Sequence, residues 1–326
     1  MRYRARGGLK PKPISGFEFQ KTVQCKPTYN EWNQHGITVA AGNGPGNQVN
    51  QLFYPKGIYI DENKAILIAD QYNDRIVEWK YNLKNGQVIA GGNEQGNSLD
   101  QLYKPADLVV NKEKNAIIIC DRENRRVMRC SLQSQTTPQI FIPNIYCGGV
   151  AVDKDGTIYV SDWRRSEVTR WKEGDTDGTV VAGGNDRGDH VNQLTFPAEI
   201  FVDEDYSIYI SDHVNDRVMK WKKDAKEGSV VAGGNGRGND LNQLSEPKGV
   251  VVDNLGQIFI ADSKNHRIMR WREGDTNGTI VVGGNGGGHG PNQLNVPDGV
   301  SFDVEGNLYV ADTYNHRIQK YEQCTE

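Results

Sequence analysis

The chain has no apolar run of 18 or more residues, so no transmembrane helix is expected. No apolar stretch follows the N-terminal charges either, so a standard signal peptide is not expected. The compartment is left open by this, and an extracellular setting would fit a piece of a longer secreted chain. No CxxC spacing occurs among Cys25, Cys120, Cys130, Cys147 and Cys324, which removes the usual zinc-site pattern. Their odd number fits reduced thiols, or two bridges and one buried thiol. No D-x-D-x-D-G run is present to hold calcium. No Ser-His-Asp or Cys-His arrangement is legible, so no catalytic residue is assigned. Apolar residues are scarce, at 36%, while glycine is abundant, with 37 in 326. That balance suits short strands joined by many turns.

A basic face is also missing from most of the chain. Residues 1–26 carry Arg2, Arg4, Arg6, Lys10, Lys12, Lys21 and Lys26 against Glu18, a net of +6. With −4 over the whole chain, residues 27–326 carry −10. A nucleic-acid partner is therefore not expected. The first half of residues 1–35 is rich in Arg, Lys, Pro and Gly and reads as a basic, irregular segment. Trp32 is expected to tuck against whatever follows.

What the chain does contain is a repeat. An Asp follows a short β-branched run at Asp70, Asp121, Asp162, Asp212, Asp262 and Asp312, at spacings of 51, 41, 50, 50 and 50 residues. Nine residues beyond stand Trp79, Cys130, Trp171, Trp221, Trp271 and Tyr321. Nine residues before stand Asp61, Asp153, Asp203, Asp253 and Asp303, and the second unit differs, with Asn111 ten residues before Asp121. Each unit reads as four strands. The second, such as Ile258–Ala261, is continuously apolar and is expected to be covered on both faces. Asp-x-x-Gly turns join the first two strands, as at Asp253–Gly256. Six four-stranded antiparallel units with buried faces predict an all-β, six-bladed β-propeller over residues 36–326. The last unit lacks a fourth strand, and Ile37–Asn43 reads like one. The N-terminal strand should therefore complete the last blade, with a Cys25–Cys324 bridge at the junction.

Ala261-Asp-Ser-Lys-Asn-His-Arg-Ile268 and Ala311-Asp-Thr-Tyr-Asn-His-Arg-Ile318, each preceded by Pro-x-Gly-φ-x-φ-Asp, resemble the NHL repeat. The resemblance covers residues 36–326 and implies a six-bladed propeller that serves as a binding platform. The third unit departs from the pattern, with Glu167 where the others have Arg and a connection nine residues shorter before it.

The pairs Asp70/Arg75, Asp121/Arg126, Asp212/Arg217, Asp262/Arg267 and Asp312/Arg317 are read as structural, a carboxylate accepting a guanidinium fork and pinning a loop. In the third unit Arg164 or Arg165 is expected to supply the missing cation. The Gly-Asn-x-x-Gly-x-x-x-Asn-Gln-Leu loops should emerge on the same face as the Asp-x-x-Asn-x-Arg loops. Their frame is constant and their tips vary, which is what a binding face needs. The residues proposed to contact a ligand are Arg187, His190, Arg237, Asp240, Lys264, His266, His289, Tyr314 and His316. The function expected is a non-enzymatic, monomeric scaffold that binds a protein or glycan and carries no metal or cofactor. The alternative is a metal-dependent lyase or hydrolase, using Zn or Ca at the central mouth with His266 and His316.

Overall fold

The computed structural model describes residues 31–132 and 137–324. Blade 1 is β2 (Pro55–Ile60), β3 (Ile66–Asp70), β4 (Arg75–Trp79) and β5 (Gln87–Gly91). Blade 2 is β6 (Pro105–Asn111), β7 (Ala116–Asp121), β8 (Arg126–Ser131) and β9 (Gln139–Pro143). Blade 3 is β10 (Cys147–Val152), β11 (Ile158–Asp162), β12 (Glu167–Trp171) and β13 (Thr179–Gly183). Blade 4 is β14 (Pro197–Val202), β15 (Ile208–Asp212), β16 (Arg217–Trp221) and β17 (Ser229–Gly233). Blade 5 is β18 (Pro247–Val252), β19 (Ile258–Asp262), β20 (Arg267–Trp271) and β21 (Thr279–Gly283). Blade 6 is β22 (Val300–Phe302), β23 (Leu308–Asp312) and β24 (Arg317–Tyr321), completed by β1 (Ile37–Ala41) lying antiparallel on β24. The N-terminal strand thus joins the two ends of the chain and covers the edge of β24.

The first strand of each blade faces the axis, and each neighbours the next around a closed ring. The second strands β3, β7, β11, β15, β19 and β23 are buried at every residue, because blades pack on both of their faces. Between blades 4 and 5, for example, Tyr209 and Val218 meet Leu244, Ile258, Ile260, Met269 and Trp271. The Leu that ends each Asn-Gln-Leu loop is a plug in such a seam. Leu102 sits among Ala69 and Ile76 of blade 1 and Leu108 and Ile119 of blade 2. Burying one such leucine contributes about 1.5–3 kcal/mol.

The repeat's polar consensus is spent on the frame itself. In blade 1 Arg75 donates to the Asp70 carboxylate at 2.7 Å and to the carbonyls of Asn47, Gln48 and Gln51. Asp70 also accepts from the Phe53 backbone N–H and from the Asn73 amide, which in turn donates to the Gly46 carbonyl. The same pattern recurs with Arg126, Arg217, Arg267 and Arg317. Each guanidinium ties the loop entering its blade to the turn between the blade's second and third strands.

Blade 3 explains its own departure. Only Asn144, Ile145 and Tyr146 separate β9 from β10, so no Gly-Asn loop offers carbonyls to an arginine. Glu167 occupies the vacated position, and Asp162 instead accepts from the backbone N–H of Arg164 and Arg165. Arg165 stands 3.9 Å from Asp162, as an exposed cation. A disulfide between Cys120 at the end of β7 and Cys147 at the start of β10 joins blades 2 and 3 across this seam. Cys130 is a buried free thiol. The expected Cys25–Cys324 bridge involves Cys25, which lies outside the described residues.

Trp32 is buried against Phe259 and Phe302 and donates to the Gly306 carbonyl at 2.9 Å. No helix among the described residues is long and apolar enough to cross a membrane.

Candidate functional site

Each inner strand of blades 1 to 5 opens with a tripeptide, Pro55-Lys-Gly57, Pro105-Ala-Asp107, Cys147-Gly-Gly149, Pro197-Ala-Glu199 and Pro247-Lys-Gly249. In all five the ladder to the second strand breaks register within this tripeptide or just after it. Such bulges re-aim side chains out of the pleat. Blade 6 carries Pro297-Asp-Gly299 ahead of its shorter β22. These residues lie at the end of the strands nearest the two loop families, so they form the floor of the loop-face mouth.

Glycine at four of the six third positions lets the strands converge. A Cβ on Gly57 would collide with the Asp107 carboxylate, and one on Gly249 with the Asp298 carbonyl. A Cβ on Gly149 would stand 2.7 Å from Glu199 Cα, and one on Gly299 2.6 Å from the Lys56 carbonyl. Asp107 and Glu199 are the two positions that carry side chains in this ring.

The result is a charged cluster on the axis. Lys248 donates to Asp298 at 2.8 Å, and Lys56 stands 3.6 Å from the same oxygen. Asp107 accepts from the backbone N–H groups of Leu108 and Val150, both at 2.8 Å. Lys56, Lys248, Asp298, Glu199, Arg122, His213, Trp163 and Phe196 line a chamber of about 160 Å³. Beside it lies a larger cavity of about 550 Å³, walled by Ile and Val of the inner strands and by charged residues such as Asp153 and Asp203, and Glu199 lines both. The lysine side chains are only 17% and 20% exposed, and what is exposed faces this interior.

The cluster sorts its own charges. Burial would push the Asp298 carboxyl up, but Lys248 and Lys56 override this and hold it at about 2. Burial lowers Lys56 to about 8, against the attraction of Asp298 and with the repulsion of Lys248 and Arg122. Burial raises Asp107 to about 7, despite its two backbone hydrogen bonds. Burial, then repulsion by Asp107 and Asp298, pushes Glu199 well above the usual carboxylate range.

Around the mouth the repeat gives way to aromatic rings and cations. Phe196 stacks on Trp163 at 5.7 Å, and Tyr146 meets Trp163 edge-on at 5.3 Å. Arg122 lies over Trp163, Arg125 and Arg164 over Tyr146, and Arg187 over Phe196. On the side of blades 1 and 6, Tyr54 packs against Tyr72, Tyr314 and His316. Tyr72 and Tyr314 are each about half exposed, at 48% and 46%.

The structure distributes the nine residues singled out from sequence. His266 and His316 are pins between blades. The His266 Nδ1 accepts from Val296 N–H at 3.1 Å, and the His316 Nδ1 from Tyr54 N–H at 3.2 Å. Asp74 and Asp216 do the same for Lys104 and Glu246. All four receive an N–H from a residue in the left-handed region, φ between 48° and 55°. Burial lowers both histidines, which suits an accepting nitrogen. Arg237 pairs with Asp216 and Glu246, and Lys264 stands 3.8 Å from Glu246. Arg187 and Tyr314 belong to the mouth. His190, Asp240 and His289 are exposed at the loop tips, and their backbone carbonyls are held by Arg217, Arg267 and Arg317. Among the described residues no group of three or more His, Cys, Asp or Glu stands together as a metal site.

The axial residues Lys56, Asp107, Glu199, Lys248 and Asp298 were missed from sequence. Their signal was present: the two positions after Pro or Cys147 differ from unit to unit inside an otherwise constant strand.

Six four-stranded blades around a channel define the class: the protein is a six-bladed β-propeller. Residues 244–270 and 294–321, in blades 5 and 6, match the NHL repeat family, so the chain is a six-bladed propeller that carries NHL repeats in these two blades. Among solved structures it is similar to a protein of unknown function from Bacteroides thetaiotaomicron, at 19% identity and a TM-score of 0.72, covering 89% of this chain and 76% of that one. An auxiliary nutrient binding protein from the same organism aligns at 14% identity and a TM-score of 0.66, covering 90% and 73%. The virginiamycin B lyase of Staphylococcus aureus aligns at 14% and 0.53, covering 85% and 97%. No curated protein matches. At these identities the likeness is one of fold.

Proposed function

We propose that this protein is a binding propeller that recognises a protein or glycan through its loop face, around the central mouth. The observation that carries this reading is the division of labour on that face. The repeated Asp, Asn and Arg side chains are consumed in holding the loops, as in blade 1. The unrepeated residues at the mouth form an aromatic surface dressed with arginines that pair with no carboxylate among the described residues, such as Arg122 over Trp163 and Arg187 over Phe196. Aromatic and arginine side chains are the usual anchors of a recognition surface. The fold's neighbours are named for binding and for lyase activity alike, so the fold does not choose between them.

The test is a glycan array and a pull-down with purified protein, repeated with Tyr72→Ala/Tyr314→Ala. Both tyrosines are half exposed and their rings lie outside the Asp–Asn–Arg frame. A partner that loses about tenfold or more in affinity, as expected for truncating an aromatic anchor, supports the reading. Partners indifferent to the double variant and to Arg187→Ala would sink it.

A further inference from the structure

The axial chamber holds an unusual inventory of unspent hydrogen-bond donors. Buried polar groups normally find partners, and those that do not call for an explanation. Among the described residues the Trp163 Nε1 is buried with no partner, and so is the Glu199 Oε1. The Arg122 guanidinium has no hydrogen bond or ion pair among the described residues, only the face of Trp163 at 5.3 Å. Lys56 makes no hydrogen bond there either, since its one ion pair is 3.6 Å long. All four side chains line the same chamber of about 160 Å³. The chamber's other charges are already committed. Asp298 is held by Lys248 at 2.8 Å, and His213 turns its Nδ1 to the Pro247 carbonyl at 3.2 Å.

We propose that the axial chamber binds the compact oxyanion of a ligand, a carboxylate or a phosphate group, held by Lys56, Arg122, the Trp163 indole N–H and the Glu199 carboxyl. The proposal deepens the loop-face reading and rests on it, because the chamber is the floor of that mouth. An oxyanion supplies what the inventory lacks, several acceptor lone pairs in a small volume, and charge-assisted hydrogen bonds are the strong ones. The charge balance agrees. Burial and the neighbouring carboxylates push Glu199 well above its ordinary range, which favours the neutral form that can donate. Lys56, Lys248 and Arg122 outnumber Asp298 and Glu199 in the chamber lining. Asp107 lies beyond it, its carboxylate turned to the Leu108 and Val150 backbone. The site also breaks the sixfold symmetry where a ligand site must, since Lys, Ala, Gly, Ala, Lys and Asp occupy the six equivalent positions.

The experiment is calorimetric titration of the purified protein with inorganic phosphate, D-glucuronate and uncharged D-glucose at matched ionic strength. Phosphate and glucuronate separate the two sources of the oxyanion, and glucose is the neutral control. The expected result is saturable binding of at least one anion and none of glucose. Arg122→Gln should weaken it about tenfold or more, the value of one hydrogen bond to a charged group. Glu199→Gln, which keeps an N–H donor, should weaken it by no more than about threefold, less than the cost of a lost donor. Melting curves establish that both variants fold; among the described residues Arg122 makes no side-chain hydrogen bond whose loss would unfold the ring. No saturation by either anion up to about 10 mM, a free energy of binding below roughly 3 kcal/mol, overturns the proposal. Equal affinity in wild type and Arg122→Gln overturns it as well. If an array or pull-down partner persists while no anion binds, the chamber reading fails and the loop-face reading stands. If phosphate binds but no loop-face partner is found, the reverse holds.

Discussion

At the scale of single residues, the five Asp–Arg pairs and the one exception make opposite predictions. Arg217 is buried, with its guanidinium shared between Asp212 and three loop carbonyls. Arg217→Ala leaves a buried carboxylate and unmet carbonyls, and should cost about 3–5 kcal/mol. Arg165 sits 3.9 Å from Asp162 with its side chain 62% exposed, so Arg165→Ala should cost less than about 1 kcal/mol. Urea unfolding midpoints measure both, and similar costs would refute this assignment of roles. The pairs were legible in sequence because each joins the two ends of one short turn. Asp107 was not, since its surroundings come from other blades. Burial raises it to about 7, opposed by the Val150 and Leu108 N–H groups and by Lys56, and assisted by Asp298; Glu199 also faces it. A raised folded-state value means that the folded protein holds this proton more tightly than the unfolded chain. The associated stability is fully present below the ordinary value of 3.8 and is lost as pH rises through about 7. Asp107→Asn should therefore flatten the decline of Tm between about pH 4 and 8. A decline as steep as wild type would show that another group is responsible.

At the scale of elements, blades 2 and 3 show how one missing feature removes another. The loop into blade 3 is short, the arginine that would hold it is absent, and a disulfide joins the two blades there instead. The bridge closes a loop of 27 residues. Removing it, as Cys120→Ala/Cys147→Ala, should cost about 2–4 kcal/mol, read as a fall in denaturant midpoint. A change smaller than a surface substitution makes would mean that the apolar contacts of Ile142, Ile145 and Val150 hold this seam unaided. The sequence marked this sector as irregular from its shortened period and from Glu167. It did not pair the two cysteines, because Cys120 ends one blade and Cys147 begins the next, and only the packing of blade on blade sets them 5.6 Å apart between Cα atoms.

At the scale of the whole molecule, closure depends on the N-terminal strand. β1 completes blade 6, and Trp32 just before it fills a pocket formed by Phe259, Phe302 and Tyr321. Trp32→Ala should cost about 3–5 kcal/mol and loosen β1, exposing the edge of β24 to association with other chains. Thermal melting with light scattering checks this; an unchanged Tm would mean that the strand ladder alone closes the ring. The number of blades, the second strands and the closing strand followed from a period and a few turn signals, because those are properties of neighbours along the chain. Which residues meet on the axis did not follow. Lys56, Lys248 and Asp298 come from three blades and touch only once the ring has closed. Repetition identifies what every blade needs in order to pack on the next. The side chains that can serve a ligand are those in which the blades differ, and only the closed ring brings these differences to one point.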